Sequence, residues 1–165
     1  MTRVASEYPP SEDTFLMERC ILQYRVKSYL DMGSGSGYLA RSYKNKYKEA
    51  EVWMADIIDY GIRFEDIYFV KSDLFENINR KFDMISFNAP YLEPDGHDYD
   101  VRLINNGVVQ RFVDQVGNYI NKNGIALLLV NDQTKVKLDW DIQAIENYFF
   151  EKLIVYKKNF LNIFK

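Results

Sequence analysis

Five short apolar runs punctuate this chain: Val26–Leu30, Val52–Ala55, Ile67–Val70, Phe82–Phe87 and Ile125–Val130. The first ends at Asp31, the second at Asp56, the third near Asp73 and the fourth at Asn88. Runs of this length, closed by charged or turn-forming residues, predict strands. Ile125–Val130 has no polar position, as expected of a central strand covered on both faces. Between the runs the apolar spacing changes to helical. Ser11 can cap a helix with Glu12 and Asp13 in its first turn and Phe15, Leu16, Cys20 and Ile21 on one face. A second helix runs from Tyr38 to about Lys48. A third carries Val108, Val109, Phe112, Val113, Val116, Tyr119 and Ile120 and stops at Gly124, read as its C-terminal cap. A fourth is expected around Ile142 to Phe150, followed by closing strands near Leu153–Tyr156 and Leu161–Phe164. Strands alternating with helices predict an α/β fold with a mostly parallel sheet. The last two strands have no helix between them, so an antiparallel hairpin is expected at one side. No repeat or linker interrupts the pattern, and residues 1–165 are read as a single domain.

One connection breaks the alternation. Only Ile57 to Asp66 separates the second and third strands, whereas a parallel crossover normally takes a dozen residues or more. This short segment predicts a poorly covered third strand, Ile67-Tyr68-Phe69-Val70. An exposed apolar edge of that kind calls for a partner adding a strand, unless residues 57–66 fold back over it.

Composition narrows the chemistry. The chain has 165 residues, 47% of them hydrophobic, enough for a core without staples. A single cysteine, Cys20, excludes an internal disulfide framework and a cysteine-only zinc site. The lone histidine, His97, leaves little room for histidine catalysis and reads as a solvated loop residue. No charged-then-apolar leader opens the chain, and no run approaches the ~18 apolar residues that span a bilayer. The expectation is a cytoplasmic protein without a membrane segment. Net charge is −3, without the basic footprint of a protein that holds nucleic acid by its phosphates. Lys44, Lys46 and Lys48 read as a solvated helix face, and Glu93, Asp95, Asp98 and Asp100 as a soluble acidic loop.

Two motifs carry candidate chemistry. Asp31-Met32-Gly33-Ser34-Gly35-Ser36-Gly37 stands where the first strand meets a helix. Glycines there let the backbone turn sharply and approach a ligand, and ligands of open α/β sheets bind beyond the carboxyl ends of the strands. The spacing is not that of a dinucleotide fingerprint. Asp31 would repel a phosphate but suits a ligand carrying an ammonium and a sulfonium. Asp56 could accept ribose hydroxyls, and Asp73 could meet an adenine amino group. Either acid alone reads as an ordinary loop acid; together with Asp31 and the glycine turn they favour a donor site. The second motif is Asn88-Ala89-Pro90-Tyr91 at the end of the fourth run. The Asn88 side-chain carbonyl and the next backbone carbonyl can accept from a planar NH2 group while Tyr91 covers its face.

These segments, in this order and spacing, resemble the HemK-type glutamine methyltransferases. Tyr8-x-Pro10-Ser11-Glu12-Asp13-Thr14-Phe15-Leu16, Asp31-x-Gly33-x-Gly35-x-Gly37 and Phe87-Asn88-Ala89-Pro90-Tyr91 carry the resemblance, which extends over nearly the whole chain. Pro-Ser-Glu-Asp-Thr points to the short eukaryotic and archaeal branch that modifies the class I release factor. The resemblance implies a seven-stranded Rossmann-like methyltransferase sheet, S-adenosylmethionine as donor, and the glutamine of a Gly-Gly-Gln loop as acceptor. It places Thr14, Asp31, Gly33, Gly35 and Gly37 around the methionine part of the donor. Asp56 with Ile57 falls at the ribose, Asp73 with Leu74 at the adenine, and Asn88, Ala89, Pro90 and Tyr91 at the acceptor amide, with Asn88 also bordering the donor. It also suggests the occupant of the Ile67–Val70 edge, a small zinc-binding activator subunit. The chain departs from the family at Ala89, where the family has proline; one fixed φ is lost, although Pro90 still restrains Ala89 to extended conformations. An adenine-N6 methyltransferase acting on DNA or RNA would use the same tetrapeptide, and a catalytically silent scaffold is the alternative outside enzymes.

Overall fold

The computed structural model describes residues 9–92 and 104–161. The described chain runs α1 (Glu12–Ile21), β1 (Ser28–Met32), α2 (Tyr38–Lys46), β2 (Glu51–Asp56), β3 (Ile67–Lys71), β4 (Phe82–Asn88) and α3 (Val108–Gln115). A 3-10 turn at Val116–Tyr119 then leads into β5 (Ile120–Asn131), β6 (Asp141–Asn147) and β7 (Lys152–Asn159). The strands make one seven-stranded sheet in the order β3-β2-β1-β4-β5-β7-β6. The β3–β2, β2–β1, β1–β4 and β4–β5 pairs are parallel; β7 is antiparallel to both β5 and β6.

Alternation along the strands sorts side chains into two cores. Tyr29, Val52, Met54, Met84, Leu127 and Leu129 pack with Leu16, Met17 and Ile21 of α1 and Leu39 and Tyr43 of α2 on one face. Leu30, Met32, Ile85, Phe87, Ala126 and Leu128 pack on the other, with Val109 and Phe112 of α3 and with Phe75 and Trp140. The central strands are covered on both sides, so β1 is buried at every position. At that end of α1 the Ser11 amide donates to Thr14 Oγ1 at 3.4 Å, and Glu12 and Asp13 complement the helix dipole.

Three elements differ from the sequence expectation. Residues 141–147 form strand β6 rather than a helix, and the antiparallel hairpin is β6–β7, joined through a tip at Phe149 and Phe150. A register shift between Ile142 and Ala144 explains the misleading pattern. One extra residue breaks the period of two and leaves Ile142 and Ile145 at a helix-like spacing. Of the expected strand Leu161–Phe164, residues 162–164 lie outside the described residues, and Leu161 follows the end of β7 without strand structure. Gly124 is no helix cap but part of β5, because α3 ends at Gln115. A Cβ on Gly124 would stand 2.8 Å from the Asp83 carbonyl and 2.7 Å from Ile120 Cγ2, so a side chain is excluded by close approach. The left-handed residue of this bulged stretch is Asn123, at φ 63°.

The short β2–β3 crossover holds no helix. Phe64 bridges to Ile67, Arg63 stacks over Phe69 at 4.3 Å, and Phe64 reaches the core. Strand β3 is the sheet edge, with Ile67 buried and Tyr68 56% exposed, stacked on Trp53 at 4.8 Å. The fold-back thus covers part of the strand's face and leaves its outer edge open.

Candidate active site

The carboxyl ends of β1, β2, β3 and β4 meet the N-terminus of α1 around a cavity of about 420 Å³. Its walls include Thr14, Gly33, Gly35, Asp56, Ile57, Asp73, Leu74 and the whole of Asn88-Ala89-Pro90-Tyr91. Two residues singled out from sequence stand apart. Asp31 is the penultimate residue of β1 rather than the one after it, and lies 1% exposed behind the wall. Gly37 opens α2 at φ 75°, and a Cβ there would meet Met54 Sδ at 2.7 Å and Phe64 Cε2 at 2.8 Å. Its glycine is demanded by packing behind the loop. Gly35, by contrast, has φ 49° and nothing within 4 Å of where a Cβ would sit. The backbone there is bare toward the cavity, as close approach of a ligand requires.

Asp56 organises the loop. Its Oδ2 accepts from the Gly35 amide and its Oδ1 from the Ile58 amide, both at 2.9 Å. A carboxylate has about four lone-pair directions, so acceptor capacity remains for a hydroxyl. Burial raises its pKa, opposed by the Ile58, Gly35 and Ile57 amides. Asp73 is held from α3, where Arg111 Nη2 donates to its Oδ1 at 3.0 Å. Leu74 next to it is a buried non-glycine residue at φ 47°, a conformation costing on the order of 1–3 kcal/mol. The Ser72 hydroxyl donates to the Leu74 carbonyl at 2.7 Å and helps to hold that turn.

The Asn88 side of the cavity is organised by one amide. Asn88 Nδ2 donates to Asp13 Oδ2 at 3.2 Å, while Asn88 Oδ1 is buried with no hydrogen-bond partner. Asp13 is itself fixed, its Oδ1 accepting from the Thr14 amide at 2.7 Å and from the Ser11 hydroxyl. The amide is therefore oriented with its oxygen free. Ala89 ends the β4–β5 pairing, its N–H donating to the Leu129 carbonyl at 3.3 Å, a bond that proline could not make. Thr134 Oγ1 donates to the Tyr91 carbonyl at 3.2 Å and ties down the far end of the tetrapeptide.

Charge is one-sided. Among the described residues the cavity wall carries Asp13, Asp56, Asp73 and Glu151, and no lysine, arginine or histidine. Apart from a weak approach of the Ala40 amide to Asp31, both carboxylate oxygens of Asp31 and the hydroxyl of Ser34 are buried without a hydrogen-bond partner. Burial pushes the Asp31 carboxyl up to about 8, the Ala40 amide opposing and the Asp56 carboxylate adding. Orphaned buried acceptors beside an acidic wall fit a ligand that brings cationic and N–H groups. Asp13, Tyr60 and Glu151 line this cavity without having been singled out from sequence. Asp13 could have been found from its place beside Thr14 in the Pro-Ser-Glu-Asp-Thr segment; Glu151 follows an element whose pattern reads as a helix and gives no signal. The acidic loop 93–100 and His97 lie outside the described residues. The described residues contain no cluster of three or more potential metal ligands and no helix long and apolar enough to cross a membrane.

Comparison with known proteins bears on this geometry. A Methanocaldococcus jannaschii protein provisionally named a protein N5-glutamine methyltransferase is 30% identical over 149 residues, covering 79% of this chain and 75% of that one. The release factor glutamine methyltransferase of Fusobacterium nucleatum is 27% identical over 125 residues, 67% of this chain and 35% of that protein. A ribosomal RNA small subunit methyltransferase C from Actinobacillus pleuropneumoniae is 28% identical over 111 residues, 62% of this chain and 32% of that protein. The chain thus spans about a third of these two bacterial relatives. In three dimensions the N-methyltransferase NodS of Bradyrhizobium japonicum, solved with S-adenosyl-L-homocysteine, superposes at a TM-score of 0.62. That likeness covers 90% of this chain and 88% of NodS at 11% identity, a likeness of fold, the Rossmann-like fold of S-adenosylmethionine-dependent methyltransferases. The methyltransferase small domain family matches residues 12–164, from the acids of α1 past the last described strand, and the chain belongs to that family.

Proposed function

We propose that this methyltransferase transfers a methyl group from S-adenosylmethionine to N5 of the glutamine in the Gly-Gly-Gln loop of a class I release factor. The observation that carries the reading is the amide of Asn88, a residue of the cavity wall, tied through Nδ2 to Asp13 and left with a buried, unpartnered Oδ1. An orphaned acceptor there calls for an N–H donor, and a primary carboxamide supplies one.

The acidic wall and the bare Gly35 backbone fit the donor. Thr14, Gly33 and Gly35 would bound its methionine part, with the Asp31 carboxyl behind them, Asp56 with Ile57 its ribose, and Asp73 with Leu74 its adenine. The donor supplies an electrophilic methyl on a sulfonium. The protein's share is orientation. Asn88 Oδ1 and the Ala89 carbonyl accept from the two N–H bonds of the acceptor and stabilise the positive charge that grows on nitrogen. Transfer would form the N–C bond as the donor's S–C bond breaks with its electrons left on sulfur, and the nitrogen's proton would then pass to water. No strong base is required, because that proton becomes acidic only as the bond forms. Pro90 and Tyr91 restrain the plane of the amide. Alignment and fixed dipoles of this kind reach effective molarities of ~10⁵ M or more.

The open edge of β3 is the docking place proposed for the small zinc-binding activator subunit, and translation termination implies a cytoplasmic setting. A second reading has one observation in its favour: the acceptor geometry suits any planar NH2 group, including a base amine, and one relative is named for ribosomal RNA. The absence of cationic side chains on the described cavity wall and the net charge of −3 weigh against a phosphate-bearing acceptor.

Labelled donor offered with release factor, ribosomal RNA and DNA decides between them. Label on the glutamine is expected, with Asn88→Ala lowering turnover about a hundredfold or more while donor affinity changes less than about threefold. Near-normal turnover of Asn88→Ala would remove the acceptor role, and label on nucleic acid alone would replace the proposal.

A further inference from the structure

The β6–β7 hairpin ends on two aromatic residues where folding asks for polar ones. Phe149 is 93% exposed and Phe150 87%, their rings edge to face at 4.7 Å. Two-residue hairpin tips favour Asn, Gly and Asp. A pair of bare phenylalanines therefore serves no local purpose, and exposed clusters of this kind mark contact surfaces. The hairpin is firmly based. The Tyr148 amide donates to the Glu151 carbonyl at 2.8 Å, the Asp132 amide to the Lys152 carbonyl at 2.9 Å, and the Lys152 amide to Asp132 Oδ1 at 3.1 Å.

Register places this tip at the mouth of the site. Asn88 pairs with Leu129 on β5, and Leu129 pairs with Val155 on β7. Strand β7 thus begins at the sheet end where β4 delivers Asn88. From Leu153, opposite Asn131, the chain reaches Phe150 in three residues, roughly 10 Å at ~3.3 Å each. Glu151, between the aromatic pair and the strand, lines the cavity and accepts from Asn131 Nδ2 at 3.4 Å. Glu151 of the cavity wall directly follows the aromatic pair in the chain.

We propose that Phe149, Phe150 and Glu151 form the docking element for the protein acceptor, gripping the segment beside the modified glutamine through apolar and basic side chains. The inference rests on the protein-substrate reading of the same site. Charge selects the occupant. The cavity wall carries four carboxylates, Glu151 among them, and no cation among the described residues, which favours a basic protein loop over a phosphate backbone. Aromatic faces beside a carboxylate also suit an arginine or lysine stem.

The test is the double variant Phe149→Ser/Phe150→Ser, at exposed positions outside the donor site. Donor affinity by calorimetry is expected to match the parent chain. KM for intact release factor is expected to rise about tenfold or more, with kcat within about twofold. Unchanged KM on release factor would overturn the docking role while leaving the methylation reading intact. If the parent chain labels a different protein and the variant's KM for that protein rises, the docking role stands and the release-factor reading falls. A parent chain that labels only RNA, or no protein at all, removes both. A parent dimer that the variant dissociates, with KM unmoved, would make the tip a self-contact and overturn the proposal.

Discussion

Two carboxylates determine what the site can do at the scale of single residues. Asp13 reads in sequence as a helix-dipole acid, yet its second oxygen holds Asn88 Nδ2 and so decides which way the amide points. Asp13→Asn would offer an NH2 as well as an oxygen to Asn88 and lift the preference for one orientation. Turnover is expected to fall about tenfold or more with donor affinity little changed, and a turnover equal to the parent's would show that Asn88 is oriented by other means. Asp31 makes a pH prediction. Its folded pKa of about 8 lies above the ordinary carboxylate value near 3.9, so the folded state retains a proton that the unfolded chain has lost between these values. Its contribution to stability is full below about pH 4 and is lost as pH rises through about 8. Donor binding runs the other way, because a cationic ligand needs the carboxylate: affinity is expected to rise with pH up to about 8 and then level. Asp31→Asn is expected to weaken donor binding and flatten both profiles, measured by calorimetry and thermal melts from pH 5 to 9.

At the scale of elements, the ends of strands matter more than their middles. Ala89 stands in the acceptor loop where the resembled family has proline, and its N–H closes the β4–β5 ladder on Leu129 at 3.3 Å. Ala89→Pro removes that bond, worth about 0.5–1.5 kcal/mol, and returns about 0.4–1 kcal/mol by restricting the unfolded chain. The two nearly cancel, so a melting temperature within about 3 °C of the parent is expected, and a much larger drop would mean that the loop depends on the hydrogen bond. Strand β6 teaches the limits of periodicity. Its bulge leaves Ile142 and Ile145 at helical spacing, and only pairing with β7 identifies it as a strand.

For the whole molecule, the sheet order leaves β3 at one edge and β6 at the other. The short crossover supplies Phe64 and Arg63 to one face of β3 but no strand to its outer side. If a partner adds a strand there, a proline at Lys71, an exposed edge position whose N–H alternates to the outer side from the Ser72 amide that donates to the Asp56 carbonyl, should abolish complex formation in co-purification with the zinc subunit. The activity of the isolated chain, measured in the same preparations, should then match that of the unpartnered parent. Retention of the complex by Lys71→Pro would move the interface elsewhere.

Apolar runs ending on Asp56 and Asn88, the glycine turn and the short crossover were legible in the chain itself, because strand burial and turn chemistry are written locally. So was the set of strand-end residues that line the cavity, since an open parallel sheet delivers all of its strand ends to one side. Three things depended on tertiary contacts between segments far apart in sequence. The orientation of Asn88 comes from Asp13, 75 residues earlier. The identity of β6 comes from its pairing with β7. The place of the Phe149–Phe150 tip at the sheet end that carries Asn88 comes from the chain of registers linking β4, β5 and β7. Periodicity reports which face of a segment is buried, but not which distant segment buries it, and a hydrogen bond between two such segments leaves no mark on the spacing of either.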